Sequence, residues 1–181
     1  MTVYVAAEEL EAGLAHIQGS PVSEGTVELV VRRPAEGERE VLEEASLDAD
    51  FGLVGDDWHA RTILRRQKHD PRIQLTLMNA RTIALLAGER ERWALAGDQL
   101  YVDLDLSTEN LPSGTRLEVG TAVIEISDVP HTGCAKFTER FGSEATRFVN
   151  GKSGRPLRLR GVNARVVQNG VVRPGDSIRK L

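Results

Sequence analysis

From Leu100 to Leu181, turn-forming residues keep interrupting the chain, and what lies between them is short and β-prone: "LYVDLDL", "TRLEVG", "AVIEISDV", "LRLRGVNARVVQ" and "VVRPGDSIRK". Strands this short cannot bury a face alone. They must close on one another, as a barrel or a closed sandwich. Asn169-Gly170, between "ARVVQ" and "VVRPG", predicts a tight hairpin, because a type I′ turn needs positive φ at both central residues.

The first hundred residues add helices. "AEELEAGLAHI" sets Leu10, Leu14 and Ile17 on one helical face, and "GSP" at Gly19 to Pro21 ends it. "TVELVVRR" and "EVLEEASL" flank the turn-rich "PAEGE", a hairpin with a loop. "RIQLTLM" alternates Ile73, Leu75 and Leu77 as a half-buried strand, then Asn79 caps a helix "ARTIALLAG" stopped by Gly88, and "ERERWALAG" predicts another short helical piece. The expected fold is mainly β, a β-barrel with a few short peripheral helices.

At 181 residues, 40% apolar and 28% charged, the chain suits one domain spanning residues 1–181. One cysteine forms no internal disulfide, no run approaches the roughly 18 apolar residues of a membrane span, and "MTVYVAAEEL" is acidic where a signal peptide is basic. A soluble cytoplasmic protein with no membrane partner is expected. The charge is unevenly spread. Residues 1–60 carry fourteen Asp/Glu against three Arg, a net of −11, whereas 131–160 carry seven Lys/Arg against two Glu, a net of +5. Either the basic part serves an anionic ligand or a thiolate, or its arginines pair with the acidic part across the fold. Nucleic acid is not expected: the chain is acidic overall, and the basic part has only Phe137, Phe141 and Phe148 as aromatics.

That basic part holds the lone cysteine, in "VPHTGCAKF". Downstream, Phe137 and Phe141 stand four apart, Gly142 is a natural stop, and Ser143 can cap a second helix "EATRFVN". Cys134 then falls at a helix start after Thr132-Gly133. Free backbone N–H groups there favour a thiolate, and Lys136 and Arg140 add to the effect. Such a cysteine is a nucleophile, a sulfur carrier or a soft metal ligand, unless it is a buried small hydrophobe. His131 could activate Cys134 or share a metal with it, but H-x-x-C alone falls short of a zinc site, so no zinc is expected. A second polar cluster, "GLVGDDWHA", gathers Asp56, Asp57 and His59 in a glycine-rich loop that either lines a site or is an ordinary turn.

"PHTGCAKFTERFGSEATRFVN" followed by "LRLRGVNARVVQNGVVRPGDSIRK" resembles the MOSC family, the domain named for the carboxy-terminal part of molybdenum cofactor sulfurases. The resemblance extends upstream through "GLVGDDWH", "RIQLTLMN" and "DQLYVDLDLSTENLPSGTRLEVGTAVIEIS", from about Gly25 to Leu181. It implies a barrel related to that of pyruvate kinase and a characteristic cysteine at Cys134. That sulfur would either ligate the molybdenum of a pterin cofactor (molybdopterin) or carry sulfur as a persulfide. Lys136, Arg147, Arg155, Arg158 and Arg160 could hold the pterin phosphate; Asp56 and His59 are further contributors. The cofactor use implies reduction of a small N-hydroxylated or similar substrate with electrons from a partner protein. The sulfur use implies a partner cysteine desulfurase, since the pyridoxal-phosphate domain of full-length sulfurases has no room in 181 residues and the lysines are only Lys68, Lys136, Lys152 and Lys180. Pyridoxal phosphate is not expected here. A binding module that kept the fold, with Cys134 buried and inert, is the alternative.

Overall fold

Seven strands close on themselves in the computed structural model, which describes residues 4–60 and 70–181; Lys68 lies outside the described residues. In chain order the elements are α1 (Ala7–Gln18), β1 (Glu24–Arg32), β2 (Glu40–Val41), β3 (Ala45–Asp48), β4 (Gly52–Leu53), β5 (Leu75–Asn79) and α2 (Ala80–Ala87). A 3-10 helix (Arg90–Ala96) precedes β6 (Leu100–Asp103), β7 (Arg116–Val119) and β8 (Ala122–Ile126). Then come α3 (Ala135–Asn150), β9 (Val162–Gln168), β10 (Gly170–Val172) and β11 (Ser177–Lys180). Around the barrel the order is β1, β6, β5, β9, β8, β7, β11, and β11 returns to β1 through Glu24↔Arg179 to Thr26↔Ser177. The β5–β6 pair is parallel, which requires the crossover that α2 and the 3-10 helix provide. The fold is thus mainly β, a closed mixed barrel with short helices outside, as the sequence indicates.

Alternation along the strands separates two cores. Leu100 and Val102 of β6 join Val27, Leu75, Leu77, Leu117 and Ile124 in the barrel interior, while Tyr101 points outward. Outward-facing Leu29, Val31, Met78 and Tyr101 are covered by Leu10 and Ile17 of α1, Ile83 of α2, Trp93, and Phe137, Phe141 and Phe148 of α3. Phe137 and Phe141 are fully buried with rings 4.9 Å apart, worth roughly 2 kcal/mol each by burial, and they fix α3 against the barrel.

Caps fall where the residues place them. Asn79 Oδ1 accepts from the N–H groups of Arg81 (2.9 Å) and Thr82 (3.0 Å) at the start of α2, and Gly88 follows its end. The predicted loop hairpin is real but brief: β2 pairs with β1 at Val31↔Val41 and Arg32↔Glu40, and the chain then leaves for a separate three-stranded sheet of β10, β3 and β4. Two expectations are corrected. β5 is not half-buried, because helices cover the face that the barrel does not, so all five of its residues are buried. Asn169-Gly170 makes no hairpin: β10 pairs with β3, at Gly170↔Leu47 to Val172↔Ala45, rather than with β9. Asn169 instead accepts from Ala49 N–H (2.8 Å) and donates to Asp48 (2.8 Å). A Cβ on Gly170 would stand 2.4 Å from Ala122 N, so glycine serves close backbone approach there.

Candidate functional site

Between β8 and α3 the chain crosses the barrel mouth as a loop held at three points. Ser127 Oγ accepts from Val129 N–H (3.0 Å), and Asn163 Nδ2 donates to the carbonyls of Val129 (3.0 Å) and Pro130 (3.3 Å). Asn150, at the far end of α3, clamps the Gly133 peptide: its Oδ1 accepts from Gly133 N–H (2.9 Å) and its Nδ2 donates to Gly133 O (3.1 Å). Such pinning delivers Cys134 to the N-cap of α3, where its carbonyl accepts from Thr138 N–H at 3.0 Å. Gly142 (φ 89°, ψ 167°) breaks α3 into two pieces, at the stop read from the sequence.

Cys134 is exposed. Partial burial pushes its thiol pKa up, but the backbone N–H groups of Phe137 and Lys136, with the Arg160 charge, outweigh this and hold it below the ordinary thiol value. Alkylation of the native protein by iodoacetamide should therefore show a pH midpoint below the ~8.5 of a free cysteine, and unfolding should return it to that value. A native midpoint at or above the unfolded one would remove the activated thiol.

Behind the cysteine lies a buried charge relay. Asp98, with no side-chain exposure, accepts from Arg160 Nη1 on one oxygen (2.7 Å) and meets His131 Nε2 with the other (3.1 Å). Burial alone would raise the Asp98 pKa; Arg160 and His131 reverse that and bring it down to about 2. Burial and the Arg160 charge push the His131 pKa down despite Asp98. The imidazole is therefore neutral near pH 7, donates Nε2–H to Asp98, and keeps Nδ1 as an acceptor. Arg160 also donates to Ala96 O (2.9 Å), lies 4.9 Å from the centre of the Phe137 ring, and leaves its buried Nε without a partner.

A cleft of about 230 Å³ joins Cys134 and His131 to cations from both halves of the chain. Arg33 grips Asp56 through Nη2–Oδ1 (2.7 Å) and Nε–Oδ2 (2.9 Å) and donates to Gly97 O (3.0 Å). Arg39 and Arg140 are held by backbone carbonyls, those of Ala94 (3.2 Å) and Leu95 (2.7 Å), and among the described residues neither forms an ion pair. Burial first, then the like charges of Arg140 and Arg33, depress the Arg39 pKa. Arg33, Lys136 and Arg160 are answered by Asp56, Glu36 and Asp98, and Asp57 also lines the cleft, which leaves Arg39 and Arg140 as the cations there to favour an added anion.

The residues singled out from the sequence separate into groups. Cys134, His131, Lys136 and Arg160 meet at the cleft. Arg155 and Arg158 do not; they line a second cavity beyond His131 and Arg160. Arg147, on the surface, pairs with Glu144. Asp56 anchors Arg33 and accepts from Trp58 N–H (3.1 Å), while its neighbour Asp57 lines the cleft. His59 packs on Phe51, ring centres 5.1 Å apart, and is not part of the cleft wall. Pairing of the basic part with the acidic amino-terminal part is realised by Lys136 with Glu36 (2.7 Å), whereas Arg160 turns to Asp98. Sequence reasoning missed Asp98, Arg33 and Arg39. "GDQL" before a β-run reads as a turn, and the arginines around "RRPAEGER" register in the sequence only as charge. The signal for Asp98 is a carboxylate two residues before the apolar run Leu100 to Val102, close enough to a buried strand to need a cation.

Among the described residues no helix is long and apolar enough to cross a membrane, and no three His, Cys, Asp or Glu gather as a metal set. No curated protein matches the chain. The fold is shared with solved structures. The YuaD protein from Bacillus subtilis superimposes with a TM-score of 0.60 at 19% identity, over 86% of this chain and 94% of that one. YiiM from Escherichia coli gives 0.56 at 19% identity, over 86% and 69%. YiiM from Geobacillus stearothermophilus gives 0.52 at 14%, over 90% and 74%. The sequence model of the MOSC domain matches residues 66–179, a span that holds the barrel from β5 to β11 together with Cys134, His131, Asp98 and Arg160, and on that match the chain belongs to the MOSC domain family.

Proposed function

We propose that this chain binds the molybdenum cofactor in the cleft at Cys134 and uses it to reduce a small molecule. The observation that carries this reading is an exposed, acidified thiol facing a cleft whose Arg39 and Arg140 have no carboxylate partner among the described residues. The residues fit such a group. The thiolate suits a soft metal, Arg and Lys suit a phosphate, and the orphaned Arg160 Nε is a spare donor. With Cys134 the cleft's only thiol, a metal here must bring its other ligands, as an organic cofactor does. Bound, the cofactor would supply two-electron chemistry to a reducible substrate such as an N-hydroxylated compound, with electrons from a partner protein. The chain's own part is to hold the metal through Cys134 Sγ, to take the phosphate on Arg39, Arg140, Lys136 and Arg160, and to offer His131 as a neutral proton-transfer group oriented by Asp98.

Exposure of Cys134 also favours a second reading, sulfur carriage as a persulfide received from a cysteine desulfurase. Elemental analysis decides. Protein from cells that make the cofactor should retain near-stoichiometric molybdenum, and Cys134→Ser should lose it with the fold intact. No molybdenum in the wild-type chain overturns cofactor binding. A persulfide on Cys134 by mass spectrometry after incubation with a desulfurase would then support carriage.

A further inference from the structure

Beyond the wall formed by His131 and Arg160 lies a cavity of about 400 Å³, within the ~300–1,000 Å³ range of small-molecule sites. It shares that wall with the Cys134 cleft. Its apolar side is Val129, Pro130, Val149 and Val162, and its cationic side adds Arg155 and Arg158 to Arg160.

Of the two added arginines Arg158 is half-buried and Arg155 exposed, and among the described residues neither meets a carboxylate. Arg158 is the sole non-glycine residue with positive φ (49°) among those described. L-residues seldom adopt that backbone, and here the bonds Arg158 N–H to Arg155 O (3.0 Å) and Gly161 N–H to Arg158 O (2.8 Å) hold it. Arg158 Nη1 donates to the carbonyls of Leu106 (3.3 Å) and Leu111 (2.6 Å), and Arg155 Nε donates to Asn150 O (2.8 Å). Among the described residues no carboxylate pairs with either. The carboxylate on the cavity wall, Asp128, is taken by Arg72 at 3.1 and 3.3 Å. Burial depresses the Arg158 pKa with nothing to oppose it, which marks a cation lacking its counter-charge.

We propose that this second cavity binds a small organic anion, its acid group on the free N–H edges of Arg158 and Arg155 and its apolar body against Val129, Pro130, Val149 and Val162. The acid is a carboxylate or a phosphate, since a planar guanidinium fork suits both. Its position places the bound molecule across the His131–Arg160 wall from Cys134. Calling this anion the substrate rests on the cofactor reading; its binding does not.

The test is titration of the ¹⁵N-labelled full chain, without added metal, with benzoate, benzyl alcohol and inorganic phosphate. Benzoate should shift the amides around Ser127–Thr132 and Asn150–Val162 saturably, and benzyl alcohol, which lacks the charge, should not. Arg155→Gln and Arg158→Gln should each weaken binding about tenfold. Arg158 also braces two carbonyls, so Thr108→Trp, which fills the rim and leaves the arginines alone, is the second arm and should block entry. Saturation by phosphate with benzoate silent assigns a phosphate-bearing ligand; the reverse assigns a carboxylate. The proposal is overturned if neither anion saturates, if shifts are confined to Gly97 and Cys134–Arg140, or if the variants bind like wild type. Molybdenum loading is read separately, so either result can fail while the other stands.

Discussion

Asp98→Ala should destabilise the fold by about 3–5 kcal/mol, because it strands the Arg160 guanidinium, whose side chain is 7% exposed, without its partner. Denaturant midpoints at unchanged slope measure the loss. The pH dependence supplies a second reading. The native carboxyl titrates at about 2 against an ordinary 3.8, so its contribution, about 2 kcal/mol, is complete above roughly pH 4 and disappears as pH falls through 2. Acidification protonates Asp98 in place, whereas alanine removes it and leaves a hole, so the substitution costs more than the acid limb implies. The variant's stability curve should therefore be flatter between pH 4 and 2. Replacing both partners, as Asp98→Leu with Arg160→Met, should recover most of the stability without restoring the Arg160 charge to the cleft. If Asp98→Ala unfolds at the wild-type midpoint, the relay is not what holds the barrel mouth.

Gly161→Ala should cost about 3 kcal/mol, through strain and overpacking together. Gly161 has φ +109°, outside what an L-residue readily takes, and a Cβ would lie 2.3 Å from Leu77 O and 3.4 Å from His131 Cδ2. The obstruction at Leu77 is backbone of β5, a central barrel strand, so neither side can yield cheaply. Relief has to come through the β9 start, which moves Arg160 and His131. Slower alkylation of Cys134 at fixed pH should accompany the stability loss. A variant as stable as wild type would mean that the β5–β9 approach has slack.

The barrel was legible because its signals are local: short apolar runs, turn residues, and a cap at Asn79 that fixes where β5 hands over to α2. What misled was non-local. Asn169-Gly170 has the composition of a hairpin, yet β10 finds its partner in β3, more than a hundred residues earlier, and the glycine answers to Ala122 rather than to a turn. Ile73, Leu75 and Leu77 suggest one wet face, since nothing in a strand announces that Gln99 will bond to Thr76 and that helices will cover Met78. The same division runs through the site. Cys134 at a helix start follows from Thr132-Gly133 before it and Phe137, Phe141 after it. Asp98 could not be found that way, because its role exists only once Arg160 and His131 are folded onto it from over thirty residues away.

The barrel closes by pairing β1 with β11, residues 24–26 with 177–179, so its first strand waits for its last. During synthesis, Arg33 and Arg39 leave the ribosome long before Arg160 exists to complete the cleft, and Cys134 emerges in between. Ring closure of this kind makes long-range contacts late and folding slow. The thiol gains its full cationic surroundings only when the strand ring shuts, which ties loading of Cys134 to completion of the fold rather than to emergence of the residue.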